Sequence, residues 1–86
     1  MKTVEEIKQE RDTELHGMEE RYRARQEEVA KEKEAAKNEQ DVDRYEKLQE
    51  QEDKNFDNYK EERAQVYDYH QKEIDAAEKE NEEYEK

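Results

Sequence analysis

His16 and His70 are the only imidazoles in this sequence, and each has an acid at helical spacing. Asp12 precedes His16 by four residues and Glu73 follows His70 by three, so each pair would share one face of a helix and could offer two ligands to a metal ion. A metal site needs three or four converging ligands, and one pair supplies no more than half. The simpler expectation is an ordinary surface pair for Asp12 and His16, with His70 on a packing stripe. The chain has no serine and no cysteine, and its single glycine, Gly17, cannot build a phosphate-cradling loop. Carboxylates stand side by side throughout, but acid–base catalysis needs a cleft that shifts their pKa values. The expectation is a non-enzyme with no cofactor, no metal and no catalytic residues.

The spacing that rises above this background is a row of acids. Glu46, Glu50, Asp53, Asp57, Glu61, Asp68, Asp75, Glu78, Glu82 and Glu85 follow one another at helical intervals, interrupted only by Ala64 and Gln71. At 1.5 Å rise per residue the row spans roughly 60 Å, about one carboxylate per 6 Å. That is of the same order as phosphate spacing along a nucleic-acid strand, about 3.4 Å along the axis of B-DNA and longer along the backbone. Such a helix can occupy a groove built for DNA or RNA. Tyr69, off the stripe of packing residues, joins the acids Glu46 to Glu82 as a candidate partner-binding residue.

A charge run is usually a solvated face. Glu50–Lys54, Asp68–Lys72, Asp75–Lys79 and Glu82–Lys86 are acid-to-lysine pairs four residues apart, each worth roughly a few tenths of a kcal/mol to a helix. Glu46–Glu50, Asp53–Asp57, Asp57–Glu61 and Glu78–Glu82 repel at the same spacing, and a helix tuned only for its own stability would not keep them. Helix one holds the opposite cluster, Arg21, Arg23 and Arg25 in "RYRAR". Arg25 is expected to face helix two, with Arg21 and Arg23 paired to nearby acids.

Helices must position these residues. Charged residues make up 53% of the 86 and hydrophobic ones 28%, with no proline, so strands and long loops lack their usual turn chemistry. Glu, Lys, Gln, Ala and Arg dominate and favour helix. Thr3-Val4-Glu5-Glu6 fits a capping box. Val4, Ile7, Arg11, Leu15, Met18, Tyr22, Arg25 and Val29 then recur at steps of three and four, completed by Ala36. Lys37 suits a helix C-terminus, Asn38 tolerates a left-handed cap, and Asp41 is a good N-cap with Asp43 behind it. The reading is an all-α single domain over residues 1–86, a coiled-coil-like hairpin of two long antiparallel helices. Helix one covers about 3–37, the turn about 38–40, and the longer, more acidic helix two about 41–85. One unbroken helix is the alternative.

Helix two repeats every eleven residues: Tyr45, Phe56, Tyr67 and Leu48, Tyr59, His70, Asn81. Eleven residues in three turns favour straight or slightly right-handed packing. Phe56, Tyr59 and Tyr67 are therefore expected in the core and Tyr69 at the surface. A turn centred near residue 39 would oppose positions that sum to about 78, pairing Val4 with Ile74, Tyr22 with Phe56 and Ala36 with Val42. Residues from about Ala76 onward, Tyr84 included, would overhang without a partner. A lone two-helix hairpin buries few side chains, each worth roughly 1.5–3 kcal/mol, so dimerisation or completion by a partner is expected.

The net charge of −12 and pI near 4.6 argue against direct binding to nucleic acid or to an anionic membrane. The expected partner is the basic surface of a protein, a nucleic-acid-binding protein foremost, with a homodimer as the further assembly. "MKTVEEIKQE" is too charged for a secretory signal and no window reaches membrane-spanning length, so a cytoplasmic location is expected. No motif assigns the chain to a family. In charge and size alone it resembles phage- or mobile-element-encoded inhibitors that occupy nucleic-acid-binding surfaces, anti-restriction and anti-CRISPR proteins among them. The competing expectation is a structural or oligomerising coiled-coil segment whose acids only keep it soluble.

Overall fold

The computed structural model describes the backbone of residues 2–85 and the side chains of residues 2–81. Two helices, α1 (Val4–Asn38) and α2 (Val42–Glu85), fold back on each other as an antiparallel hairpin with extents of 70 × 16 × 11 Å. An unbroken helix of this length would reach roughly 130 Å at 1.5 Å per residue. The hairpin is the fold.

Local chemistry sets each end. Thr3 is extended (φ −76°, ψ 160°) and its Oγ1 accepts a hydrogen bond from the Glu6 amide at 3.2 Å, which satisfies one free N–H of the first turn. At the other end of α1 the left-handed residue is Gln40 (φ 57°), not Asn38, which remains helical. The Asp41 amide donates to the Ala36 carbonyl at 2.9 Å and the Gln40 amide to Lys37 at 3.1 Å, the two bonds of a Schellman cap. Asp41 then starts α2, its Oδ1 accepting from the Arg44 amide at 3.1 Å. One residue thus closes the first helix and caps the second. A left-handed glutamine carries a Cβ penalty of roughly 1–2 kcal/mol, which these bonds offset.

Moving the turn to Gln40 moves the register. Tyr22 stacks on Tyr59 with centroids 4.4 Å apart, and Phe56 is the more distant neighbour at 6.4 Å. Asn55 donates to Gln26 at 3.1 Å and Lys33 to Gln49 at 2.7 Å. Facing positions therefore sum to about 81, close to one helical turn beyond the expected 78. The shift leaves Val42, the expected partner of Ala36, 66% exposed. It also brings Ala77 alongside Ile7 at the open end, where both line one shallow depression, so the expected overhang does not begin at Ala76. The Tyr84 side chain lies outside the described residues.

Among the described residues the buried side chains are Ile7, Met18, Val29, Ala36, Ile74 and His70. Ile7, Met18 and Val29 are eleven apart, so α1 carries the same period as α2 and the two stripes stay opposed along the hairpin. Phe56 (46% exposed) and Tyr67 (40%) are not core, contrary to expectation, whereas Tyr59 is half-buried. The reason is geometric. Two helices share one seam, and a ring on the flank of that seam has no third element above it.

Candidate functional site

Because α1 covers only one side of α2, the opposite side is left to water. Glu46, Glu50, Asp53, Asp57, Glu61, Asp68, Asp75 and Glu78 are all exposed along it. The Glu82 side chain lies outside the described residues. Tyr69 is 63% exposed but sits elsewhere. It packs edge-on against His70 with centroids 5.2 Å apart and lines a depression with Met18 and Arg21 of α1, about 100° around the helix from Asp68. The acids form one surface, and Tyr69 belongs to another.

Of the expected acid-to-lysine pairs, Asp68–Lys72 forms at 3.2 Å, Glu50–Lys54 and Asp75–Lys79 do not, and Glu82–Lys86 lies outside the described residues; Lys60, three residues after Asp57, adds a pair at 3.8 Å that was not expected. Asp53 and Asp75 take neutral amide partners, Gln49 at 3.5 Å and Gln71 at 2.9 Å, in place of a cation. Among the described residues no cation lies within salt-bridge distance of Glu46, Glu50, Glu61 or Glu78. Two like charges 6 Å apart in bulk water repel by roughly 0.7 kcal/mol before salt screens them. The row is thus a line of net negative charge on a rigid rod, suited to holding several cationic groups at once.

The seam treats charge differently. His70 is 4% exposed, with Nε2 2.8 Å from Glu14 Oε2 of α1 and Nδ1 3.1 Å from Glu73 Oε1, the latter off the hydrogen-bond axis. The two carboxylates approach opposite ring nitrogens, so they do not converge on a common point. Among the described residues no group of three potential metal ligands forms. His16 turns to Glu20 at 3.1 Å, leaving Asp12 to Arg11, so the expected Asp12–His16 pair is not made. Arg25 is exposed and donates to the Arg21 carbonyl at 3.4 Å instead of facing α2, while Arg23 pairs with Glu19 at 3.4 Å.

Sequence reasoning missed the cations over the flanking rings. Lys60 lies 4.8 Å from the Phe56 centroid, Lys33 5.1 Å from Tyr45, and Arg63 and Arg11 5.4 and 5.5 Å from Tyr67. The four-residue spacings Phe56–Lys60 and Arg63–Tyr67 were a usable signal for two of them. The other two cross between helices and depend on the register. No protein-family model matches this chain, no curated protein matches it, and no solved structure matches it.

Proposed function

We propose that this chain is a non-enzymatic binding protein whose acid row on α2 occupies a basic, nucleic-acid-binding groove on another protein and blocks it by charge mimicry, as an inhibitor of the anti-restriction or anti-CRISPR kind. The observation that supports this most is the exposure of the eight row acids from Glu46 to Glu78 with cations, among the described residues, beside two of them. Uncompensated repulsion costs the isolated helix stability, and a cationic groove would recover it on binding. A rod of this form enters a groove without rearrangement, which limits the entropy lost on association. A net charge of −12 would also steer it toward a basic surface.

The test is binding to a candidate nucleic-acid-handling protein, recovered by pull-down from the native host. Affinity is expected to fall roughly tenfold or more as salt rises from about 0.1 to about 0.5 M, because the screening length shrinks well below the length of the row. The target's own nucleic acid is expected to compete. Reversing Asp53, Asp57 and Glu61 to lysine is expected to abolish binding with helix content retained, since all three are exposed. Full binding by that triple variant, or a complex indifferent to saturating nucleic acid, would end the mimic and leave a solvated face.

A further inference from the structure

The acid row leaves a second exposed feature unexplained. Tyr45, Phe56 and Tyr67 recur every eleven residues, so they stand in line about 16 Å apart on one flank of α2. They are 38%, 46% and 40% exposed. On the same side α1 contributes Leu15, which lines a shallow depression with Tyr67. Singly exposed rings are ordinary, but three in register along one flank offer a partner three evenly spaced anchor points.

We propose that a second copy of this chain covers this face, with each α2 lying over its partner's α1. Area is the first argument. The broad face measures 70 × 16 Å, on the order of 1,100 Å², and a standard interface takes about 800 Å² from each partner. The ring line alone is too narrow to supply that, so the occupant has to match the hairpin along most of its length. A second hairpin does.

Charge supplies the second argument. The rings already carry Lys33, Lys60, Arg11 and Arg63. Lys33, Lys60 and Arg11 are set against Glu52, Asp57 and Asp12 at 3.3, 3.8 and 3.1 Å. The face is therefore close to neutral on a strongly acidic chain, and a near-neutral face is one that two like-charged copies can share. Residues 1–40 carry −3 and residues 41–86 carry −9, so α2 over α1 avoids the strongest repulsion. It also keeps the two acid rows on opposite edges of the dimer, open to other partners.

Sedimentation equilibrium of the full chain over a wide concentration range is expected to show a species of twice 10.6 kDa. Phe56→Glu with Tyr67→Glu is expected to weaken self-association roughly a hundredfold while helix content is retained. Should that variant lose its helix signal, spin labels on Lys47→Cys and, separately, Gln65→Cys give an independent reading, because the chain has no native cysteine. Equal label-to-label distances at the two positions support the arrangement, and distances that differ by tens of ångströms overturn it. A chain that stays monomeric overturns the proposal, as does a dimer indifferent to the two glutamates or a face shielded only when a basic protein is added. Reversing Glu50 and Glu61 to lysine, neither of which pairs with a cation of the ring line, is expected to weaken binding to a basic groove and leave the dimer in place, so this proposal and the charge mimic fail separately.

Discussion

Along the seam of the hairpin, charged and polar side chains come with partners: Lys33 reaches Glu52 at 3.3 Å and the buried His70 ring faces Glu14 at 2.8 Å. On the far side of the same helix, no cation among the described residues lies beside Glu46, Glu50, Glu61 or Glu78. A partly buried polar or charged group without a partner is costly, so the fold itself demands the pairing at the seam. Nothing in the fold demands the outer acids, which repel one another in an extended line. The difference separates charge that holds the hairpin together from charge that the hairpin only displays.

The contrast breaks most visibly at the apolar part of the seam. Ile74 is 3% exposed, and Ile74→Ala is expected to cost about 2–5 kcal/mol in chemical denaturation, a large share of the stability of so small a chain. A loss under about 1 kcal/mol would mean that the seam is not a packed core. On the flank, Phe56→Ala is expected to cost less, about 1–2 kcal/mol, because the ring is half open and its cation contact with Lys60 is exposed. That smaller cost applies to dilute samples in which the chain is monomeric; where a second copy covers the flank the cost of Phe56→Ala is expected to rise toward that of Ile74→Ala, and a cost independent of concentration would count against the dimer. The smallest effect belongs to the outer edge. Glu50→Gln with Glu61→Gln is expected to change stability by no more than about 0.5 kcal/mol, toward stabilisation, and the gain should shrink as salt is added. Destabilisation beyond about 1 kcal/mol would give these acids a folding role and erase the distinction between the two sides.

What the sequence made legible was local or periodic. Thr3 and Asp41 announce their helix starts because a cap is a contact within three residues. The exposure of the acid row followed from its position relative to the seam stripe, since helical spacing fixes angle. The exposure of Phe56 was not legible in the same way. The eleven-residue period places the ring on the seam side, but whether anything lies above it depends on how many helices assemble. The register slipped by about one turn for a similar reason: Asn38 is the better left-handed residue by propensity, yet the Schellman bonds form around Gln40. The partner of Glu14 could not be read from spacing either, because it sits 56 residues away and is set by that register.

The shared eleven-residue period makes the hairpin a ruler. Each unit is three turns, so inserting eleven residues in α1 and eleven at the facing point of α2 would extend the molecule by about 16 Å without rotating any side chain off its face. The seam, the ring line and the acid edge would all lengthen in step. Removing four residues from one arm would instead turn everything beyond the deletion by about 40° and pull the stripes out of opposition. Length in this architecture is adjustable in fixed increments, and the reach of its charged edge can change without redesign of the fold.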